Sequence, residues 1–579
     1  MENIKNINDI NCLYEHFERG LEIAGIDHPL YRFNRINNKE ESMVTVKYGE
    51  FKPFLQKMTL AFSKLIGKDD KVIVMGETSV QWIASYLATV TAGGVIVPLD
   101  PGILEDEIIN FINVAEAKVV VYSQAFDKLF KERGEELKSV EKFVVTDKST
   151  FEIYTEQHYV EEKYTTFNNI LALGEREYVN IHGEFVLPEQ DTEKLSILLF
   201  TSGTTGTSKG VMLSQKNVVA VMKGIEPMLN VLDKHDSVMS VLPIHHTYEM
   251  SAGILAPMLY GCTVNISDGI KYVGKNIKQF KPTIMTLVPL FAQTLYKTVW
   301  KGIQKQGKEK TVRFGMKLAK LLHFSVKRRR KLFKQILDGL GGEIKYFVVG
   351  GAALNPEIVD GFKAFGVQVS QGYGITECAP LISVIGLTDY NKASCGKLMP
   401  GIEIRIDKEK EDDTFGEVVV RGDNVMLGYY NAPNLTAEVL DEDGWFRTGD
   451  YGYYEKGYLY LTGRKKNIII ASNGKNVFPE EIEEYVENIN LVSEVVVVGR
   501  EGKEAGEVDI VAIVVPNYEE CEAQGYHQED DEVIYEAIRS EVMKVNKSLV
   551  NYKHISQVEI RKEPFEKTAA RKIKRFLVK

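Results

Sequence analysis

Cysteine is scarce in this sequence and follows no pairing pattern. The five cysteines are scattered, and none forms a Cys-x-x-Cys pair with another. This spacing argues against a disulfide framework and against a structural zinc site. An excess of cationic residues is also missing, because the formal net charge is −10 at pH 7. That charge argues against a general nucleic-acid-binding role.

Long apolar stretches are missing as well. The first residues, Met-Glu-Asn-Ile-Lys-Asn, contain no apolar core of the signal-peptide type, and no apolar run approaches the length of a membrane-spanning helix. We therefore expect a cytoplasmic protein, with peripheral contact to a membrane as an open alternative. A chain of 579 residues exceeds the usual size of one domain, so two or more domains are expected.

The stretch most informative about function is a loop rich in glycine and hydroxyl residues. Residues 200–210 read Phe-Thr-Ser-Gly-Thr-Thr-Gly-Thr-Ser-Lys-Gly, and the apolar run Leu195–Phe200 predicts a buried strand before them. The N–H groups and hydroxyls of such a loop can surround a polyphosphate, and Lys209 adds a positive charge. The spacing excludes a Walker A loop, which ends in Gly-Lys-Ser/Thr. A surface loop without a ligand is the alternative.

Predicted strands and helices alternate in the N-terminal part of the chain. The clearest pattern runs from residue 71 to residue 121, and related patterns recur at 237–265 and 344–370. Its predicted elements are the strand Lys71–Met75, the helix Val80–Thr91, the strand Val95–Pro98, the helix Leu104–Ala115 and the strand Val119–Val121. This alternation predicts an α/β fold with parallel sheets.

The pattern changes after about residue 395. Short alternating stretches predict antiparallel strands, so we expect a small β-barrel-like subdomain at about 395–463. Residues 466–579 predict a compact α+β domain of ordinary length. Its predicted elements are a hairpin near Ile468–Val477, a helix Pro479–Asn488, strands Glu494–Val498 and Asp509–Val515, and a helix near Glu532–Asn546. The predicted domains are therefore residues 1–465 and 466–579.

Two further glycine-rich stretches follow predicted strands. The first is Gly350-Gly351-Ala352-Ala353-Leu354, where glycines allow the backbone to approach a flat ring such as adenine. A plain strand-to-helix turn is the alternative there. The second is Gln371-Gly372-Tyr373-Gly374-Ile375-Thr376-Glu377, where a tyrosine ring can lie against a base and a threonine hydroxyl can bond a phosphate. Its final glutamate supplies the hard oxygen ligand that Mg²⁺ prefers.

Charged residues stand out in the C-terminal part. Asp450 ends the run Gly-Trp-Phe-Arg-Thr-Gly-Asp, and its carboxylate suits two vicinal hydroxyls of a ribose, with a hairpin turn as the alternative. Arg464 and Lys466 follow in Gly-Arg-Lys-Lys-Asn, where a basic surface loop is the alternative. Near the C-terminus, Lys572 lies in Glu-Lys-Thr-Ala-Ala-Arg-Lys-Ile-Lys-Arg. Other lysines there, Lys567, Lys574 and Lys579, compete with it, and a basic tail is the alternative.

Two adjacent histidines are further candidates. His245 and His246 lie in the stretch Leu-Pro-Ile-His-His-Thr-Tyr-Glu. A single histidine is more often a packing residue than a ligand, so both functions stay open.

These motifs, in this order, resemble the adenylate-forming (AMP-binding) superfamily, and the matches span residues 200–575. Residues 281–296 and the basic insert before Gly341 resemble its long-chain fatty acyl-CoA synthetase branch. The closing motif departs from the family pattern, because Arg571 replaces a glycine and Glu566 stands at the proline position. The resemblance implies a small mobile C-terminal domain that is hinged at Lys466.

The resemblance also implies roles for individual residues. The catalytic residues would be Lys572 and His246, Gly474 would approach the pantetheine arm of CoA, and Glu377 and Ser202 would serve Mg²⁺. The implied ATP- and AMP-binding residues are Thr201, Ser202, Gly203, Thr204, Thr205, Gly206, Lys209, Gly351, Ala352, Gln371, Gly372, Tyr373, Gly374, Thr376, Asp450 and Arg464.

The implied reaction joins a fatty acid, ATP and CoA. The acid is first converted to an acyl-adenylate with release of pyrophosphate, and the CoA thiol then forms the thioester. An alternative acceptor is a separate acyl carrier protein. A luciferase-like oxidation and a non-enzymatic nucleotide sensor are further alternatives, and the presence of Glu377, Asp450 and Lys572 argues against the sensor.

Segment 301–334 is strongly basic and includes Lys-Arg-Arg-Arg-Lys at 327–331. A solvated helical face is the favoured interpretation. Contact with an anionic surface, including membrane lipid, is the alternative.

Overall fold

The computed structural model describes residues 5–37, 40–147, 162–201, 208–411, 413–472, 475–502, 507–527, 531–567 and 573–578. These residues form two compact units. The first unit contains the described residues of 5–201, 208–403 and 421–444, and the second contains those of 404–420 and 445–578. Residues 404–420 and 445–464 thus belong to the same unit as the C-terminal residues. The predicted domain boundary at 465/466 stays a prediction.

The strands are numbered in chain order. They are β1 (Pro29–Asn37), β2 (Glu40–Lys47), β3 (Lys71–Met75), β4 (Val95–Leu99), β5 (Val119–Ser123), β6 (Lys142–Thr146), β7 (Tyr164–Thr166), β8 (Leu195–Thr201), β9 (Lys209–Ser214), β10 (Ser237–Ser240), β11 (Thr263–Ile266), β12 (Ile284–Leu287), β13 (Tyr346–Val349), β14 (Gln368–Tyr373), β15 (Ser383–Val384), β16 (Lys397–Leu398), β17 (Glu403–Asp407), β18 (Gly416–Arg421), β19 (Gly428–Tyr429), β20 (Phe446–Glu455), β21 (Tyr458–Arg464), β22 (Ile469–Ile470), β23 (Asn476–Val477), β24 (Val492–Glu501), β25 (Val508–Pro516) and β26 (Gln557–Ile560).

The helices are numbered in the same way. They are α1 (Leu13–Ala24), α2 (Tyr48–Leu65), α3 (Val80–Thr91), α4 (Glu105–Ala115), α5 (Asp127–Arg133), α6 (Phe167–Asn180), α7 (Gln215–Leu229), α8 (Ala256–Leu259), α9 (Val273–Phe280), α10 (Pro289–Lys305), α11 (Glu309–Leu321), α12 (Val326–Leu332), α13 (Lys334–Gly339), α14 (Pro356–Phe365), α15 (Pro433–Val439), α16 (Pro479–Glu487), α17 (Tyr518–Ala523) and α18 (Asp531–Val545). A π-helical segment, Glu249–Leu255, runs directly into α8. Within the described ranges, no helix is both long and apolar enough to cross a bilayer.

Two large sheets organise the first unit. One has the strand order β16-β15-β14-β13-β12-β10-β11-β1-β2, and the other has the order β19-β9-β8-β4-β3-β5-β6-β7. Their central strands pair in parallel, as β3 does with β4 and β5, and β13 does with β12 and β14. The central strands are buried apolar runs, which is typical of parallel sheets covered by helices.

Local sequence explains where these elements begin. Helix α3 starts at Val80 because the Ser79 side chain accepts a hydrogen bond from the Trp82 N–H, which is an N-cap. Apolar side chains on both faces then bury α3 against the sheet. The alternating strands and helices predicted for residues 71–121 are confirmed, with boundaries that differ by at most two residues.

The second unit combines three sheets. Strands β17, β18, β20 and β21 form a four-stranded sheet, β22 and β23 form a hairpin, and β24, β25 and β26 form a three-stranded sheet. Helices α16 and α18 bury Ile482, Val486, Ile538 and Val542 in the core of the three-stranded sheet. The predicted hairpin, strands and helices of residues 466–579 are confirmed, and so is the α/β fold class with a small α+β C-terminal part.

Candidate nucleotide and acyl site

The glycine-rich loop is held at both ends by a β-hairpin. Strand β8 arrives as predicted, β9 returns antiparallel to it, and Thr201 pairs with Lys209. The Thr201 hydroxyl donates to the Lys209 carbonyl at 3.4 Å. The predicted residues Ser202, Gly203, Thr204, Thr205 and Gly206 lie outside the described residues. Lys209 is the first residue of β9, so its pairing with β8 fixes the position of its backbone.

Tyr429 connects Lys209 with Glu377. The Lys209 ammonium lies 4.7 Å from the centre of the Tyr429 ring. The Tyr429 hydroxyl donates to Glu377 Oε1 at 2.9 Å. Burial, followed by the nearby Glu377 charge, raises the pKa of Tyr429, so its hydroxyl remains a donor. The predicted phosphate-binding lysine and the predicted Mg²⁺ ligand thus both contact the side chain of Tyr429.

Glu377 offers a carboxylate of the kind that Mg²⁺ prefers. It lies in a single 3₁₀ turn, Thr376–Cys378, directly after β14, and is half-buried. In the part of the chain that the structure describes, no group of three or more His, Cys, Asp or Glu side chains could hold a metal ion. A Mg²⁺ ion at Glu377 would therefore take its other ligands from water and from substrate phosphates, as this ion commonly does.

The chain before Glu377 passes very close to a neighbouring segment. A side-chain carbon built on Gly374 would lie 1.7 Å from the Pro380 carbonyl oxygen. Only glycine fits at that position, so the glycine pattern of this motif has a structural cause. Asn424 donates to the carbonyls of Cys378 and Leu381, at 3.2 and 2.9 Å, and holds the same turn.

The segment Gly350–Leu354 follows β13 and exposes Gly351 and Ala352. Gly351 has a φ of +93°, a region that favours glycine. Gln371 fixes the end of the segment, because its side-chain oxygen accepts from the Leu354 N–H at 3.1 Å. This contact gives Gln371 a positioning role, and the exposed backbone at Gly351 and Ala352 is accessible to a flat ring.

Tyr248 packs beneath this segment. Its hydroxyl donates to the carbonyls of Leu287 and Val348, at 3.3 and 2.9 Å. A side-chain carbon on Gly350 would lie 3.0 Å from the Tyr248 ring. Gly350 therefore provides the space for a tyrosine that joins β12 to β13.

The two histidines differ in exposure. His245 is buried and its Nε2 lies 3.7 Å from Asp100 Oδ1, whereas His246 is partly exposed. Burial, together with the neighbouring His246, lowers the pKa of His245 far below its usual value, so the ring is neutral at pH 7. The His246 ring lies 4.2 Å from it, centre to centre. Of the two, His246 is the more exposed, and its role stays a prediction.

A buried glutamate holds the start of the histidine loop. Glu249 is fully buried, and its carboxylate accepts hydrogen bonds from the hydroxyls of Ser240, at 2.5 Å, and Thr286, at 2.7 Å. The backbone N–H groups of Val241 and Leu242 also donate to it. Burial raises the pKa of Glu249 to about 7. These contacts anchor the chain between β10 and His246.

In the second unit, two predicted nucleotide-binding residues contact each other. Asp450 on β20 pairs with Arg464 on β21, and Arg464 Nε lies 2.6 Å from Asp450 Oδ1. Asp450 is only 4% exposed. Its N–H donates to the Thr448 hydroxyl, which in turn donates to the Val418 carbonyl. The backbone of Asp450 is thus held by Thr448, and its carboxylate is held by the Arg464 guanidinium.

Lys466 follows this pair in a 3₁₀ turn, Lys465–Asn467. Partial burial lowers the pKa of Lys466 to about 8, and the nearby Arg464 and Arg575 charges act in the same direction. Asn467 donates to Glu480 at 2.5 Å and so joins the turn to α16. The predicted hinge residue is thus a lysine whose charge is disfavoured by its surroundings.

The C-terminal segment is anchored on both sides of residues 568–572. Lys567 pairs with Glu494 at 2.6 Å and forms an isolated β-bridge with Ile573. Arg575 pairs with the buried Glu483 of α16. The predicted catalytic Lys572 and the predicted CoA-contacting Gly474 lie outside the described residues. Since Lys567 is already ion-paired, it is a weaker competitor for the catalytic role.

The structure therefore brings some predicted residues together and leaves their roles as predictions. Lys209 and Glu377 meet at Tyr429 in the first unit, and Asp450 and Arg464 meet in the second. Four residues that contact or hold the predicted site segments could not be identified from the sequence, namely Tyr248, Glu249, Tyr429 and Glu483. Glu249 is the last residue of the histidine stretch, so a charged residue beside apolar ones was the available signal.

Family comparison agrees with these motifs. Residues 41–430 match the family model described as AMP-binding enzyme, and residues 466–578 match the model described as AMP-binding enzyme C-terminal domain. The solved anthranilate CoA ligase AuaEII in complex with anthranoyl-AMP has a TM-score of 0.75 at 19% identity, and the match covers 99% of this chain and 98% of that one. At this identity the likeness shows a shared fold.

Curated relatives include ligases of fatty acids. The chain is 26% identical over 598 residues to long-chain-fatty-acid–CoA ligase 5 of Rattus norvegicus, with 96% of this chain and 84% of that protein covered. It is 26% identical over 529 residues to the chloroplastic long-chain-fatty-acid–[acyl-carrier-protein] ligase AEE15 of Arabidopsis thaliana, with 78% and 70% covered. Since its matched family model spans more than half of the sequence, the chain belongs to the AMP-binding enzyme family.

Proposed function

We propose that the protein activates a long-chain fatty acid with ATP and transfers the acyl group to CoA. The observation that carries this proposal is the arrangement around Tyr429. Its ring contacts Lys209, at the end of the glycine-rich loop, and its hydroxyl contacts the carboxylate of Glu377. A cation and a hard oxygen ligand beside such a loop suit a nucleotide polyphosphate with its Mg²⁺ ion.

In the proposed first step, an oxygen of the fatty acid carboxylate attacks the α-phosphate of ATP. The bond to the pyrophosphate breaks, and an acyl-adenylate forms. Most of the rate enhancement comes from positioning and charge neutralisation, because the protein forms no covalent bond itself. Lys572 would stabilise charge at the α-phosphate, and Asp450 would hold the ribose hydroxyls.

In the proposed second step, the CoA thiol attacks the acyl carbonyl and AMP leaves. Partly exposed His246 would lie near that carbonyl, and buried His245 would support it. Lys466 would be the hinge between the two steps, with Gly474 then approaching the pantetheine arm. We place the enzyme in the cytoplasm, since both nucleotide substrates are available there.

The test is acid-dependent exchange of pyrophosphate into ATP, across fatty acids of graded length. Exchange with long-chain acids is expected, and chelation of Mg²⁺ should abolish it. Exchange with none of the acids would contradict the proposal.

Lys572→Ala should lose this exchange but still transfer acyl groups from supplied acyl-adenylate to CoA. Lys574→Ala is the matched control, because it removes a neighbouring lysine from the same segment, and it should retain the exchange. Equal loss of both half-reactions in Lys572→Ala would contradict the assignment of that lysine.

Lys466→Pro tests the hinge. A proline fixes φ and restricts the preceding residue, so it should hinder rotation about this position. We expect adenylation to persist and thioester formation to fall. Lys465→Pro is a poor control because Lys465 pairs with Glu417, so Lys466→Ala serves instead and should retain both steps.

A carrier-protein ligase is the second candidate. It is favoured by the Arabidopsis thaliana relative, which is named for that activity. Both candidates share the first step, so only the acceptor distinguishes them. Comparing CoA with a phosphopantetheinylated acyl carrier protein, at equal thiol concentration, decides between the two.

A further inference from the structure

Helices α11 and α12 of the first unit carry a surface that the proposed reaction does not use. Residues 308–334 contain eleven lysines and arginines and a single acidic residue, Glu309. The chain as a whole has a formal net charge of −10. A local excess of positive charge on an acidic protein attracts an anionic partner specifically to that surface.

Helix α11 is apolar on two opposite sides. Val312, Met316 and Ala319 lie on the inner side. Val312 and Met316 pack against the hydrophobic core that includes Phe333, and Ala319 is buried. Phe314 and Leu321 lie on the opposite side, one near each end of the helix, and are 67% and 75% exposed. Packing in the core explains the apolar residues on the inner side. On the opposite side, large apolar side chains are exposed to water, and monomeric proteins seldom expose such side chains in clusters.

The apolar side chains continue into the next turn and helix. Leu322 follows α11, and Val326 and Leu332 lie at the two ends of α12, all three well exposed. Lysines and arginines lie between them in sequence, and the exposed ones in residues 309–332 are Lys310, Arg313, Lys317, Lys320, Lys327, Arg328 and Lys331. Of these, Arg313 pairs with Glu309 at 3.0 Å. We call the exposed side chains of residues 309–332 the α11–α12 surface.

Not all of the basic run contributes charge to this surface. Arg329 donates to the carbonyls of Phe324 and Ala319, at 2.9 and 3.2 Å. Arg330 donates to the carbonyls of Ile344 and Gly342. These two arginines hold the segment against the rest of the unit. Their neighbours in sequence are exposed, so the fold separates structural arginines from accessible ones.

We propose that the α11–α12 surface docks on the face of an anionic phospholipid bilayer. Lys327, Arg328 and Lys331 would contact lipid phosphates, and Phe314 and Leu321 would enter the headgroup region. Clustered basic residues interleaved with aromatic and aliphatic side chains are the known requirements for such peripheral binding. An acidic protein partner would neutralise the basic side chains, but it would not explain why a phenylalanine and a leucine are exposed beside them.

Docking would bring the enzyme to a bilayer in which long acyl chains accumulate. This benefit rests on the proposed function, whereas the binding itself does not. Lipid binding is therefore measured directly, without any enzymatic assay, so that failure of one proposal can be told from failure of the other.

The full chain is mixed with vesicles of phosphatidylcholine alone or of phosphatidylcholine with phosphatidylglycerol, and sedimented. We expect binding to the anionic vesicles only, weakening as salt is added because the attraction is screened. Equal binding to both vesicles, or binding to neither, would overturn the proposal. In the latter case, an acidic protein partner becomes the better explanation of the surface.

Two sets of variants locate the contact. Reversal of Lys327, Arg328 and Lys331 to Glu should weaken partitioning roughly a hundredfold or more, since each basic residue near the surface contributes about fivefold. Its matched control reverses Lys128, Lys131 and Lys138, which are exposed on and just after α5. The control changes the net charge equally, so an equal loss of binding would overturn the assignment of the surface.

The apolar contribution is tested by Phe314→Ser with Leu321→Ser. About tenfold weaker binding is expected, because two buried apolar contacts with lipid are lost. Val179→Ser with Val186→Ser is the control, as these two valines are 62% and 81% exposed elsewhere in the first unit. Unchanged binding of the Phe314/Leu321 variant would overturn the insertion of these side chains.

Insertion can also be observed without loss of binding. A Phe314→Trp variant should show additional fluorescence quenching by brominated lipid acyl chains, compared with the wild-type chain and its three native tryptophans. Absence of additional quenching while the protein is bound would contradict insertion at this position. Far-UV circular dichroism and urea unfolding should give the same results for all surface variants as for the wild type, which confirms that they fold.

Discussion

Each unit contains a buried glutamate, and the two glutamates have different kinds of partner. Glu249 of the first unit is surrounded by neutral donors, the hydroxyls of Ser240 and Thr286 and two backbone N–H groups. Glu483 of the second unit accepts from the Val497 N–H at 2.6 Å and pairs with the Arg575 guanidinium. Burial raises the pKa of both carboxyls to about 7.

The two carboxylates differ in which groups lose their partner when the glutamate is replaced. Without Glu249, neutral donors lose an acceptor, and an isosteric amide can replace part of it. Without Glu483, a partly buried guanidinium loses its counter-charge, which is much more costly. Both glutamates hold segments with predicted site residues, the histidine loop in one case and the chain after Lys572 in the other. The histidine loop is therefore held by neutral donors at Glu249, whereas the chain after Lys572 is held by a charge pair at Glu483.

The largest effect is expected for Glu483→Ala. It should lower the free energy of unfolding by about 2 to 3 kcal/mol, because Arg575 is left without its partner. The side chain of Arg575 is 25% exposed, so the loss is smaller than for a fully buried pair. Urea unfolding measures the change. Glu484→Ala, one position along α16 and exposed, is the control and should change stability by less than about 0.5 kcal/mol.

A double variant sharpens this result. Glu483→Gln combined with Arg575→Gln removes both charges, and it should be more stable than Glu483→Ala. A double variant as unstable as the single one would show that the guanidinium does not set the cost.

The neutral surroundings of Glu249 predict a pH effect. A carboxyl whose pKa is raised on folding, here from 4.5 to about 7, binds its proton more tightly in the folded state. Its contribution to stability is fully present below about pH 4.5 and is lost as pH rises through 7. The contribution of this group to wild-type stability should therefore fall between pH 5 and 8, by about 1.4 kcal/mol per pH unit at most.

Glu249→Gln cannot titrate, so its stability should fall less steeply over the same range. Urea unfolding at several pH values gives both slopes. Identical slopes for the variant and the wild type would contradict a raised pKa at this position.

The smallest effect is expected at Glu377, where a single phenol holds the carboxylate. Tyr429→Phe removes one hydrogen bond to Glu377 and keeps the ring beside Lys209. The loss of about 1 kcal/mol should appear as an about fivefold higher KM for Mg·ATP, with stability almost unchanged. Tyr430→Phe is the control and should leave KM unaltered. A stability loss as large as that of Glu483→Ala would show that Tyr429 is a core residue.

The sequence predicted the elements of the fold more fully than the contacts within the site. Strand β3 and helix α3 begin and end where the apolar pattern places them, because local residues such as Ser79 determine those boundaries. The pairing of β1 with β11 joins residues more than two hundred positions apart, and no local pattern reports such a contact.

Within the site, the motif residues were found because glycines and charges stand out in sequence. Tyr429 was missed, since a tyrosine in a short strand is most often a packing residue, and only tertiary structure brings its side chain into contact with both Lys209 and Glu377. Glu483 was missed for a similar reason. It lies in a glutamate-rich helix, and the other glutamates of that helix are partly or fully exposed.

The close fit of Gly350 over Tyr248 has a consequence for how this chain can vary. A methyl group at position 350 would lie 3.0 Å from the Tyr248 ring. Replacing Tyr248 by a smaller residue would remove the hydrogen bonds to two carbonyls on β12 and β13. Each change is therefore harmful alone, and a tolerated pair must change together. Positions 248 and 350, separated by about a hundred residues, should covary among descendants of this sequence as if they were a single site.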